Sequence, residues 1–161
     1  MKKLSLIMVL LISTTAIAAD WTDTLSVKGD FRLRHEMIDK DGSKIRNRER
    51  FRMRLGMTAK VNEDINVNFG IASGGDDPIS TNQTIGSGFS SKSVVIDIAS
   101  FDYAIAEGIG FTGGKMKNPF FRPAKSELIW DGDLRPEGVS FNYKSDLFFA
   151  NSGAFQIEER S

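Results

Sequence analysis

The sequence predicts an all-β protein whose antiparallel strands form a transmembrane β-barrel, and three observations lead to this fold class. From Phe51 to Val61 every second residue is apolar, and the residues between are mostly basic or small. A candidate export signal stands at the start of the chain, and short and long connections alternate between the predicted strands. Strands of transmembrane barrels present one apolar face to lipid and one polar face to an aqueous lumen.

The first residues predict a secretory signal peptide over residues 1–18. Lys2 and Lys3 precede a short apolar run, and small residues follow it up to Ala19. That run is far shorter than the roughly 20 residues of a membrane-spanning helix. Charges interrupt every later apolar run, so the mature chain, residues 19–161, is either a soluble extracytoplasmic protein or a membrane barrel. The chain has no cysteine, which excludes disulfides and thiolate chemistry.

Seven strands are predicted from period-two alternation and turn-forming clusters. They lie at about 25–37, 48–61, 65–72, 94–103, 109–116, 139–144 and 147–157. The connections between them run medium, short, long, short, long, short, with the two longest at 73–93 and 117–138. Brief turns at one end and long loops at the other are typical of membrane barrels. Soluble β-sandwiches have no structural requirement for such an alternation of loop lengths.

Basic residues are concentrated in the first two predicted strands. Residues 28–60 hold 11 basic and 5 acidic residues, whereas the rest of the mature chain holds 8 basic and 16 acidic ones. We call the basic residues on the polar face of these strands the arginine ladder: Arg32, Arg34, Arg48, Arg50, Arg52, Arg54 and Lys60. Facing a lumen, they would favour anions. The alternative is that they pair with acids across the lumen and stiffen the wall.

The segment 117–138 has two interpretations. Folded into a pore, it would place Glu127, Asp131 and Asp133 opposite the arginine ladder, and the opposed charges would create a transverse field that orients dipolar solutes. Left exposed, it would use its aromatic residues to pack itself down or to anchor at the membrane interface. Other aromatic residues are candidates for interfacial girdles: Trp21, Phe31, Phe69, Tyr103, Phe111 and Tyr143.

Signals for catalysis or cofactor binding are weak. His35 is the only histidine and falls on the apolar face of the first strand, which disfavours a catalytic triad or a histidine metal site. Residues 113–115 lack the glycine spacing and the hydroxyl residue of a phosphate-binding loop. The sequence therefore predicts a protein that is not an enzyme, with no metal and no cofactor.

Four blocks of sequence, in order, resemble the putative porins of Gram-negative outer membranes. They are residues 47–56 (NRERFRMRLG), 77–84 (DPISTNQT), 113–120 (GGKMKNPF) and 130–134 (WDGDL) with 136–138 (PEG). The resemblance implies a large antiparallel barrel of about sixteen strands that forms a passive water-filled pore in the outer membrane. It also implies outer-membrane lipid, small hydrophilic solutes and ions as partners, the trimeric assembly that porins often adopt, and no nucleic acid.

This chain departs from that pattern in its strand number and its last residues. About seven strands are an odd and small number for a single-chain barrel, and residues 158–161 contain no terminal aromatic. We therefore interpret it as the N-terminal portion of a porin. The second hypothesis is a secreted or surface β-sheet protein whose basic face binds an anionic polymer such as polysaccharide. Detergent-dependent solubility would favour the porin, because the two hypotheses differ in what covers the apolar face.

Overall fold

A computed structural model describes residues 24–86 and 88–158, and the predicted signal peptide and Trp21 lie outside these residues. The described chain forms one antiparallel sheet with no α-helix. Its strands are β1 (Leu25–Ile38), β2 (Arg46–Lys60), β3 (Ile65–Ser73), β4 (Gln83–Thr84), β5 (Val94–Ala106), β6 (Ile109–Lys115), β7 (Glu137–Lys144) and β8 (Phe149–Gln156). The predicted all-β antiparallel fold is confirmed, as an open sheet that matches part of a porin-like barrel.

Neighbouring long strands follow one another along the chain, in the order β1-β2-β3-β5-β6-β7-β8. The short strand β4 was not predicted, and it pairs with β2 beyond the point where β3 ends. Short connections at 61–64, 107–108 and 145–148 lie at one end of the sheet, and the medium one at 39–45 and the two long ones at 74–93 and 116–136 lie at the other. The predicted alternation of connections is thus present in the fold.

The pairing register separates the two faces of the sheet. Phe31 lies opposite Met53 on one face, and Arg32 lies opposite Arg52 on the other. Because cross-strand partners share a face, this register continues the apolar and polar sets from strand to strand. Phe31, Phe69, Tyr103, Phe111 and Tyr143 all fall on the apolar face with their cross-strand neighbours.

A β-bulge explains why the alternation in β5 is irregular. Gly70 pairs with Ile98 and the next residue, Ile71, pairs with Ile96, so one extra residue stands between the two pairs. That residue is Asp97, which the bulge brings to the polar side of the sheet, where Arg135 contacts it.

The tight turn between β5 and β6 requires a glycine. Gly108 has a φ of +71°, in the left-handed region, and a Cβ atom there would clash with the carbonyl oxygen of Lys144. The Gly108 carbonyl in turn accepts a hydrogen bond from the Lys144 N–H at 2.8 Å. This turn therefore brings β6 and the end of β7 into register.

Most of the buried side chains lie on the polar face or in the long loops that cover it. Ala72, Ser73, Thr81, Met116 and Ser140 are buried. By contrast, Phe31 is 68% exposed and Leu33 is 63% exposed. This distribution is the reverse of a soluble sheet, in which the apolar face packs on the core.

Candidate functional site

The arginine ladder lies on the polar face of β1 and β2, as two adjacent rows of side chains. Arg32 and Arg34 of β1 stand directly opposite Arg52 and Arg50 of β2. Most of the ladder is covered: the side chains of Arg48, Arg50, Arg52 and Arg54 are only 13–20% exposed. Lys60 lies at the last position of β2, is exposed, and makes no ion pair within the described ranges.

Two acids of β1 neutralise part of the ladder within the β1–β2 hairpin. Asp30 accepts hydrogen bonds from Arg52 Nη2 at 2.6 Å and Nε at 3.1 Å. Glu36 is shared by three arginines: it accepts from Arg34 at 2.6 Å, from Arg48, and from Arg50 at 3.5 Å. Arg48, Arg50 and Arg52 lie on β2, so their pairing with these two acids links the strands of the β1–β2 hairpin.

The loop 74–93 folds back over the ladder, which the sequence did not predict. Strand β4 places Thr84 opposite Arg50, and the Ile85 N–H donates to the Glu49 carbonyl at 2.8 Å. From this position the loop accepts several hydrogen bonds from arginines of β1 and β2. Arg32 donates to Asn82 Oδ1 at 2.7 Å, and Arg50 donates to the Asn82 carbonyl at 3.1 Å.

Arg54 contacts both long loops at once. Its Nη2 donates to Thr81 Oγ1 at 2.9 Å and to Asp133 Oδ1 at 2.8 Å. The other two predicted acids do not reach the ladder. Glu127 accepts from the Gly132 N–H, and Asp131 accepts from the N–H of Asp133, so both acids order the loop that carries Asp133.

Asp133 is held in its ionised form by its basic neighbours. Partial burial raises the pKa of this carboxyl, but the hydrogen bond from Arg54 and the positive charges of Arg54, Arg135 and Arg52 outweigh it. The net effect lowers the pKa below its ordinary value of 3.8. The contact with Arg54 is therefore at full strength at neutral pH and is lost as the pH falls through this lowered pKa.

Aromatic residues hold the loop 116–136 against β8. Phe120, Trp130 and Phe155 form a cluster with ring centroids 5.5–6.1 Å apart, and Phe121 packs edge-on against Phe149 at 5.3 Å. On β8, Phe155 pairs with Gly138 and Phe149 pairs with Lys144, so both phenylalanines lie on the polar face. The loop is thus held at two places, by aromatic packing against β8 and by the contact between Asp133 and Arg54 of β2.

Polar side chains that the sequence reasoning did not single out connect the middle of the sheet. Thr58 donates to Asn68, and Asn68 and Thr112 each donate to Asp102, over distances of 2.7–2.8 Å. These residues stand on β2, β3, β5 and β6 at positions that alternate with the apolar residues. The period-two pattern of the sequence was therefore the signal that could have placed them on the polar face. Together with Arg135 and Ser140 they line a cavity of about 660 Å³ beside the loop 116–136.

The side chains of the described residues in this region are held by ion pairs and hydrogen bonds. No cluster of three or more metal-ligating side chains occurs in residues 24–86 and 88–158. His35 lies on the apolar face with Glu49, 2.6 Å from its carboxylate oxygen. Within the described ranges, no helix has the length and apolar character needed to cross a membrane.

The comparisons with known proteins identify a family. No curated protein matches the chain closely enough to count as a relative. A family model described as "Putative porin" matches residues 37–160, which include β2 through β8 and both long loops. This match covers well over half of the sequence, and it agrees with the open antiparallel sheet and with the four sequence blocks. The chain belongs to the putative porin family.

Proposed function

We propose that this chain forms part of the wall of a non-enzymatic outer-membrane porin, a water-filled channel for passive diffusion of small hydrophilic solutes and ions. The apolar face of the sheet meets outer-membrane lipid, and the arginine ladder faces the lumen. Family membership supports the porin activity and the membrane location. The observation that carries the proposal is the inverted distribution of side chains, with apolar residues exposed and arginines covered.

The height of the apolar face agrees with the thickness of a membrane. On β1 and β2 it extends from the pair Leu25–Ala59 to the pair Leu33–Phe51, and the next pair on this face is polar, His35–Glu49. Residues 25 to 33 span about 27 Å along the strand at roughly 3.4 Å per residue. At the tilt of roughly 40° that barrel strands adopt, this gives about 21 Å, close to the apolar band of about 25 Å in outer-membrane barrels.

The two long loops are the candidates for a constriction. Both leave the same end of the sheet and fold over the polar face, where Arg54 contacts each of them. Asp133 then faces the basic residues of β2, and Asp97 and Asp102 line the same cavity as Arg54. Opposed charges of this kind create a local field across the lumen, which orients dipolar solutes.

Reversing the charge of the ladder is expected to change ion selectivity. In planar bilayers with a potassium chloride gradient, Arg52→Glu plus Arg54→Glu in a restored full-length pore should shift the reversal potential toward cations, because two lumen-facing positive charges become negative. The variant Arg52→Lys plus Arg54→Lys is the control: it keeps the charge and should keep the original selectivity.

Two results would argue against the proposal. An unchanged reversal potential in the glutamate variant would place these side chains off the permeation path. If the protein were soluble as a monomer without detergent, the porin hypothesis would be wrong, since the exposed apolar face would then need no lipid. A basic face that binds an anionic polymer would be the hypothesis to test next.

A further inference from the structure

Positive charge exceeds negative charge at one place in the arginine ladder. Arg52 is matched by Asp30, but Arg34, Arg48 and Arg50 share the single carboxylate of Glu36. Arg32 makes no ion pair with any described residue. Within ion-pair distance, these four guanidinium groups therefore have one carboxylate between them. Like charges that stand directly opposite on one face of a sheet are destabilising, and both Arg32–Arg52 and Arg34–Arg50 are such pairs.

Three donors in this region are also without an acceptor. The Nε atoms of Arg32, Arg34 and Arg50 are buried and have no hydrogen-bond partner among the described residues. We call these three residues the arginine triad. Their other contacts include only neutral oxygens from the loop 74–93, those of Ser80 and Asn82, and the shared Glu36. A buried charged donor that lacks an acceptor is costly, and native proteins contain few of them.

We propose that the arginine triad binds a free tetrahedral oxyanion of the phosphate or sulfate type. This inference rests on the proposed function, since it names a class of solute for the same lumen wall. Guanidinium groups offer several N–H donors in a fixed fork, which matches the separate oxygens of an oxyanion and not a spherical halide. The triad lies on the polar face, away from the apolar face, so the ligand is a solute and not a lipid headgroup.

Calorimetric titration of the detergent-solubilised full chain tests the site directly. At constant ionic strength, inorganic phosphate and sulfate are expected to bind at least about tenfold more tightly than chloride, because each guanidinium then makes more than one charge-assisted bond. Equal binding of chloride would overturn the proposal. So would binding of dihexanoyl phosphatidic acid without binding of free phosphate, because the ligand would then be a lipid headgroup.

Lysine substitutions separate a specific site from a general positive field. Arg32→Lys plus Arg34→Lys keeps both charges but removes the forks, and should weaken phosphate binding by about tenfold or more. Arg34→Lys alone, at the most exposed of the ladder side chains in ion pairs, gives the same comparison with less disturbance of folding. The control is Lys28→Gln on the same face of β1, which removes an exposed charge and should leave phosphate affinity unchanged. Unchanged affinity in the lysine variants would overturn the site.

Conductance distinguishes a failure of this inference from a failure of the pore. If the closed pore that this chain helps to form conducts ions but the titration shows no preference for phosphate over chloride, the oxyanion site is wrong and the porin stands. If phosphate binds with the expected variant pattern but no ion current flows through that closed assembly, the site stands and the pore is wrong.

Discussion

Replacing Arg135 with methionine is expected to cost about 3–5 kcal/mol of unfolding free energy, the typical loss when one partner of a buried ion pair is removed. Arg135 Nε lies 3.0 Å from Asp97 Oδ1, and the two side chains are 7% and 11% exposed, the most buried pair in the described chain. The substitution leaves the Asp97 carboxylate covered and uncompensated. Urea unfolding in detergent micelles, followed by tryptophan fluorescence, measures the loss.

Two further variants separate charge burial from lost packing. Asp97→Asn plus Arg135→Met removes both charges, and should recover more than half of the lost stability, since no unpaired charge remains. Lys115→Met breaks the exposed pair between Lys115 and Glu137, whose side chains are 30% and 61% exposed, and should cost no more than about 1 kcal/mol. Equal losses for Arg135→Met and Lys115→Met would contradict the assignment of Asp97 to a covered polar face.

Replacing Arg54 with methionine is expected to release both long loops from the wall. The variant loses charge-assisted hydrogen bonds to Thr81 and Asp133, each typically contributing about 1.5–3 kcal/mol. Cleavage by trypsin in the loops, at residues such as Lys92 and Lys117, should accelerate by about tenfold to a hundredfold. Single-channel conductance should rise at the same time, because the two loops proposed to narrow the pore would no longer be held over its polar face.

The controls for this prediction use neighbouring contacts. Arg52→Met removes a ladder arginine whose partner, Asp30, is on β1, so loop cleavage should not change. Asp133→Asn should expose only the loop 116–136. Acid should also weaken the contact between Asp133 and Arg54, because the Asp133 carboxylate protonates as the pH falls below its lowered pKa. Unaltered cleavage of both loops in Arg54→Met would mean that their aromatic and β4 contacts hold them without Arg54.

The long strands and their two faces were predictable because a strand repeats every two residues. Alternation over residues 25–37 and 51–61 placed the arginine ladder on one face, and the register of β1 and β2 agrees. The boundaries differ by only a few residues. The two-residue strand β4 was not predictable, since its pairing depends on an edge of β2 that β3 leaves free and not on its own sequence pattern.

The positions of the site residues on the sheet were easier to predict from the sequence than the residues that they contact. Arg54 contacts residues 27 and 79 positions away, and no local pattern reports such separations. Asp97 reaches Arg135 only because a bulge shifts the register, and on β8 the aromatic residues occupy the polar face to pack the loop 116–136. Of the three loop acids proposed to oppose the ladder, only Asp133 contacts it, since the other two bond to the loop backbone.

Single-cysteine labelling along β3 tests most directly the claim that the apolar face meets lipid and the polar face meets water. The native chain has no cysteine, so each engineered thiol is the only one present. In liposomes, a hydrophilic maleimide should label Asn66→Cys and Asn68→Cys, while Val67→Cys and Phe69→Cys should resist it and react with a lipid-soluble reagent. Labelling of all four positions from water, or protection of the asparagine positions only, would contradict the membrane orientation on which this account depends.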